Sequence, residues 1–153
     1  MDSSVISFGS NTANAVAPIL KVINNEYGVE EVFITTVHGY SNSNRLADVA
    51  GEGFRKNRAA GENIIPSITN SSKVIETVLP ELSEKIASFS MTVPVPDGST
   101  IDLTLNLKNI TTKDEINSFF DERTIKDDLH KIIGIPYDPI VSSDVVGNSL
   151  SGI

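Results

Sequence analysis

The chain has 153 residues, 39% hydrophobic and 21% charged. That suits one soluble globular domain, able to bury about 70% of its unfolded surface without disulfides or metal. Its net charge of −8 disfavours nucleic acid and anionic membranes as partners, and a phosphorylated ligand too unless a local cation overcomes the field. The absence of cysteine excludes disulfides, thiolate metal sites and thiol catalysis, and fits a cytoplasmic protein. No apolar run approaches the roughly 20 residues needed to span a bilayer. Met1-Asp2-Ser3-Ser4 lacks the basic and apolar regions of a secretory signal. The glycosylation patterns at Asn70 and Asn109 are therefore read as chance.

Residues 5–9 read as a short strand leading into a helix, for which Ser10, Asn11 and Thr12 are all good N-cap types. Val16, Ile19, Leu20, Ile23 and Tyr27 then fall at helical spacing. Pro18 is expected to kink this helix or loosen its first turns, and Gly28 to stop it. Residues 32–38 are β-branched and aromatic and predict a strand. Residues 41–61 predict a long ordered loop with one helical turn near Phe54; loops of this length are usually functional or at an interface.

Ser71 or Ser72 is placed to cap a helix through Val74, Ile75, Val78 and Leu79. Two strands follow, over residues 88–93 and 100–108, with Pro94, Pro96, Asp97 and Gly98 supplying turn chemistry between them. In the second, Ile101, Leu103, Leu105 and Leu107 alternate with Asp102, Thr104 and Asn106, a half-buried antiparallel pattern. Thr112, with Glu115 three residues on, predicts a capping box for a helix through Ile116, Phe119 and Phe120, both phenylalanines in the core. A second short helix is expected over residues 125–132, ending at Gly134, with strand and tail beyond. Clustered strands with at least one antiparallel pair favour α+β over a doubly wound parallel sheet. No G-x-G-x-x-G loop suggests a nucleotide fold.

Several segments together resemble the glyceraldehyde-3-phosphate dehydrogenase family. Ser10-Asn11-Thr12-Ala13-Asn14-Ala15-Val16-Ala17-Pro18 is similar to its active-site helix, which reads S-C-T-T-N-C-L-A-P. Thr35-Thr36-Val37-His38 matches its T-T-V-H. Arg58-Ala59-Ala60-Gly61-Glu62-Asn63-Ile64-Ile65-Pro66 matches its R-A-A-x-x-N-I-I-P. Val78-Leu79-Pro80-Glu81-Leu82, the strands around Val93-Pro94 and Leu105, and Val141-Ser142-Ser143-Asp144 follow in order. Any one motif is weak; the ordered series over nearly the whole chain is specific. The resemblance implies the family's C-terminal catalytic domain as a single unit, an antiparallel or mixed sheet with helices on one face. It also implies that the NAD-binding Rossmann half, and the final strand and helix of the domain, are absent.

The resemblance implies a nucleophilic cysteine at the position of Asn11 and a general base at His38. A thiolate attacks an aldehyde and later leaves as an acyl carrier; an asparagine amide does neither. Helix capping is thus the plain reading of Asn11, and hydrogen-bonded scaffold that of His38. Ser10, a possible alternative nucleophile, sits one position off. Phosphate binding in the family uses hydroxyls, a glycine amide and an arginine. Ser10, Thr12 and Thr69 match, and Ser41 stands for a threonine. Asn70 replaces the glycine and Thr92 replaces the arginine, a loss worth about 1.5–3 kcal/mol of charge-assisted binding. Arg45, Arg55, Lys56 and Arg58 form a basic cluster, read as salt links to Asp48 and Glu52 or as part of an interface.

The expected function is therefore that of a degenerate, catalytically inactive homologue acting as an interaction or regulatory protein. It carries no cofactor, or NAD only with a partner domain. The expected partners are a second copy of itself and, possible in addition, a full-length dehydrogenase or an isolated Rossmann domain. The alternatives are a subunit of a split aldehyde oxidoreductase and a His38-based activity on a small phosphorylated compound.

Overall fold

The computed structural model describes residues 4–153. Residues 4–10 form no regular element, and Val5 and Phe8 are each 81% exposed, so the expected strand over residues 5–9 is not formed. Apolar, β-prone residues become a strand only alongside a partner edge, and the four strands of the sheet do not include them.

Helix α1 spans Asn11–Tyr27. Ser10 is its N-cap, accepting a hydrogen bond from the Ala13 amide at 3.3 Å. Pro18 lies inside without ending it, costing only the bond that the Asn14 carbonyl would accept. Gly28 terminates the helix at φ +68, a conformation that costs glycine nothing.

Strand β1 (Val29–Gly39) is the axis of the fold, in a four-stranded sheet of order β2-β3-β1-β4. Strands β2 (Ile65–Ser67), β3 (Ile86–Val93) and β4 (Ser99–Leu107) complete it. The short β2, antiparallel to β3, has no counterpart in the sequence reading. β3 runs parallel to β1 and β4 antiparallel to it. The turn-rich connection over residues 94–98 therefore does not close a hairpin. It arches over the end of β1, with the Gly39 amide on the Gly98 carbonyl at 3.3 Å and the Tyr40 amide on the Val95 carbonyl at 3.1 Å. A β-carbon on Gly39 would lie 2.5 Å from the Val95 oxygen, so the close approach needs glycine there. Inserting β1 between β3 and β4 satisfies its backbone on both edges.

The side chains of Val32, Ile34 and Thr36 point toward α1 and helix α2 (Ser71–Val78). They join Val16, Leu20, Ile23, Ile75 and Leu82 in the main core. The alternating β4 leucines pack against it half-buried, as the pattern predicts. The sheet's other face carries Phe33, 47% exposed, and Phe89, 39% exposed; among the described residues no helix covers it. The chain is thus α+β, a mixed sheet with helices on one face.

Other expectations are corrected. Asn70, not Ser71 or Ser72, takes the N-cap position of α2, and the Ser71 amide donates to the Thr69 hydroxyl at 3.1 Å. Helix α3 (Lys113–Lys126) begins with the predicted capping box, Thr112 and Glu115 bonding reciprocally, and these bonds lower the Glu115 pKa. Phe119 and Phe120 are half-buried rather than core, because α3 packs on the flank of α1. Phe119 stacks edge-on to Tyr27 at 5.5 Å and carries the Arg123 guanidinium on its ring at 4.9 Å. The second helix expected to Ile132 is a run of turns that buries Leu129 and Ile133. A 3-10 turn (Ser142–Val145) and an isolated bridge from Ile133 to Gly152 finish the chain.

Residues 40–64 are the long loop, with one helical turn closed by the Asn57 amide on the Gly53 carbonyl. Asp48 anchors it, accepting from the Ala59 amide at 2.8 Å and from Arg58 at 3.1 Å. Both bonds hold the Asp48 carboxyl below its usual pKa, the amide most. Among the described residues Glu52 makes no salt link; its main-chain oxygen accepts from the Asn57 side-chain amide.

Candidate active site

At the end of β1, a groove of about 400 Å³ opens between the N-terminus of α1, the Thr69–Ser71 turn and the 94–98 arch. It gathers six of the eight residues singled out from the sequence: Ser10, Asn11, Thr12, His38, Ser41 and Thr69. Asn70 and Thr92 do not line it. Asn70 is exposed at φ −100, a conformation open to any residue, and its side chain makes no cap bond. Thr92, on β3, is only 3% exposed, registered beside His38 of β1 and Ile65 of β2.

His38 is held at both ring nitrogens. Nδ1 lies 3.0 Å from the Gly39 carbonyl oxygen and Nε2 lies 2.9 Å from the Ser90 hydroxyl. A carbonyl only accepts, so Nδ1 carries a proton, and in the neutral tautomer this assigns, Nε2 presents its lone pair to the Ser90 O–H. Ser90 is thus the residue the sequence reading missed. It is 4% exposed, lies in register with Thr36, and still contributes to the groove wall. Its signal was the alternation Ser88, Ser90, Thr92, three polar side chains on one face of a strand. Only the register with β1 shows that this face meets the helices and His38.

Ser10 is occupied elsewhere. Its hydroxyl caps α1 and lies 3.2 Å from the Ser71 hydroxyl, which in turn lies 2.8 Å from that of Thr69. The Thr36 hydroxyl is buried without a partner among the described residues. The groove's charged groups are confined to Asp97, whose Oδ1 accepts from the Gly98 amide at 2.7 Å, and to His38 when protonated; neither lysine nor arginine lines it. Among the described residues no cluster of three or more histidine or carboxylate side chains offers a metal site. No helix there is long and apolar enough to cross a membrane. The arrangement offers a base with its lone pair engaged by a hydroxyl, in a hydroxyl-rich groove that is poor in positive charge.

Residues 10–153 match the sequence profile of the glyceraldehyde 3-phosphate dehydrogenase, C-terminal domain. The chain is 44% identical to the glyceraldehyde-3-phosphate dehydrogenase of Borreliella burgdorferi, over 99% of this chain and 46% of that protein. It is 44% identical to that of Borrelia hermsii, over 97% and 56%. It is 42% identical to glyceraldehyde-3-phosphate dehydrogenase 2 of Streptomyces avermitilis, over 97% and 44%. The chain therefore spans about half the length of the curated relatives it matches.

Proposed function

The chain belongs to the glyceraldehyde-3-phosphate dehydrogenase family through its C-terminal domain, and from that premise we propose that it is a homologue without dehydrogenase activity of its own, acting as an interaction or regulatory protein. The observation that carries this reading is the content of the groove: the chain has no cysteine, and Asn11 stands near His38 where the resemblance puts the nucleophile. No cation lines the groove, and Asp97 adds to the field of a −8 chain. A phosphorylated aldehyde would meet hydroxyls without the guanidinium that supplies charge and bidentate geometry. Purified protein given glyceraldehyde 3-phosphate, NAD and phosphate is expected to produce no NADH above background. Turnover that disappears in His38→Ala would overturn the proposal.

The partner proposed first is a second copy of the chain. The open sheet face presents Phe33 and Phe89 partly to solvent, and large apolar side chains on an uncovered sheet face support an interface there. Sedimentation across the micromolar range is expected to show a dimer; a monomer mass independent of concentration would rule it out. The hydroxyls of Ser10, Thr12, Ser41 and Thr69 around the groove favour a second reading. In it the chain is one subunit of an NAD-dependent aldehyde oxidoreductase, and a Rossmann-domain partner or a full-length dehydrogenase brings both NAD and the missing nucleophile. The same hydroxyls would equally serve a His38-based reaction on a small phosphorylated compound. NADH formation by a co-purified complex would favour the subunit reading.

A further inference from the structure

We propose that Ser90 and His38 form a nucleophile–base pair that hydrolyses short-chain acyl esters. The distance from Ser90 Oγ to His38 Nε2 is 2.9 Å, within the range at which an imidazole activates a hydroxyl. The second ring nitrogen is fixed at 3.0 Å on the Gly39 carbonyl, so a third group orients the base with its lone pair toward the nucleophile. Gly39 is itself held by the 94–98 arch through its amide. The pair sits in the wall of an open groove rather than in the sealed core. Asn11 and Thr12 line the same groove, and their main-chain amides open α1, where no intrahelical acceptor exists. Such amides suit the oxyanion that forms when an ester carbonyl is attacked.

The reaction balances without any redox partner. Ser90 Oγ bonds to the acyl carbon as its proton passes to Nε2. The carbon–oxygen bond to the alcohol breaks, and the leaving oxygen takes that proton from Nε2. Water then attacks the acyl-serine and gives a proton to Nε2. The Oγ–acyl bond breaks and Oγ recovers the proton, so ester and water become acid and alcohol. Substrate size follows from burial: at 4% exposure Ser90 is reached only by a small acyl group, acetyl before any branched chain.

The test uses the whole chain and p-nitrophenyl acetate. Saturable release of p-nitrophenolate is expected, with acid quenching trapping one acetyl group on the peptide that contains Ser90. Ser90→Ala and His38→Ala should each lower kcat/KM by roughly a hundredfold, the scale of a lost nucleophile or general base. Trapping the acetyl group on Ser90 uses the unmodified chain and requires no variant to fold. The proposal is overturned by turnover no faster than in buffer, by acetyl on another residue, or by an unchanged rate in Ser90→Ala.

Discussion

In an Asn11→Cys variant the new thiol is expected to ionise well below an ordinary cysteine. Position 11 is the first residue of the 17-residue α1, exposed and on the groove wall. The positive end of the helix dipole and the free first-turn amides both favour an anion there. The midpoint of its reactivity with iodoacetamide, about pH 8.5 for a free thiol, should fall by more than about one pH unit. The rate at pH 7 should rise only severalfold, because nucleophilicity falls along with basicity. His38 tests the pocket separately. Its Nε2 is engaged by Ser90, so Ser90→Ala in the Asn11→Cys background should free the ring to pair with the thiolate and move the midpoint further down. His38→Ala should move it up. A midpoint that ignores both changes would mean that positions 11 and 38 do not share a pocket. NADH formation should stay absent throughout, since a thiol alone brings neither a hydride acceptor nor a phosphate-binding cation.

The largest loss of stability is expected on the helix-covered face of β1. Ile34 is fully buried, in register with Ser88 on β3 and Leu103 on β4, and belongs to the main core. Ile34→Ala removes buried methylenes and leaves a cavity, a change that costs about 2–5 kcal/mol. For a domain of this size the melting temperature should fall by roughly 5–20 °C. Phe33, next in sequence, points the other way and is half exposed. Phe33→Ala should barely lower the melting temperature at dilution, where a monomer prevails, but should weaken self-association in sedimentation. Calorimetry on both variants at low and high protein concentration checks the pair. Equal losses from the two at dilution would show that the face carrying Phe33 is covered by something other than a second copy.

Each of these expectations depends on which face of a strand a residue occupies, and here sequence and structure part company. Local signals were sufficient where the deciding contacts are a few residues apart. The Thr112–Glu115 capping box, the stop at Gly28, the turn near Phe54 and the β4 alternation are all present, because each rests on backbone geometry or on period. Local signals misled where a segment needed a distant partner. Residues 5–9 have strand composition but join none of the sheet's strands, the run before Ile132 was expected to be helical but resolves into turns, and the 94–98 turn residues connect two strands that β1 separates.

The family resemblance, carried by an ordered set of motifs, was legible in the sequence by itself, as were the α+β class and six of the residues that line the groove. Only the tertiary structure decided that Ser90 is the partner of His38, that Ser10 is committed to capping and to Ser71, and that Thr92 is buried outside the groove. The physical reason is register. Ser90 and His38 lie 52 positions apart in the chain, and the parallel pairing of β1 with β3 alone brings them to 2.9 Å on the same face. A slip of one residue would have turned Ser90 to the opposite face, and no pattern within either strand fixes the offset between them.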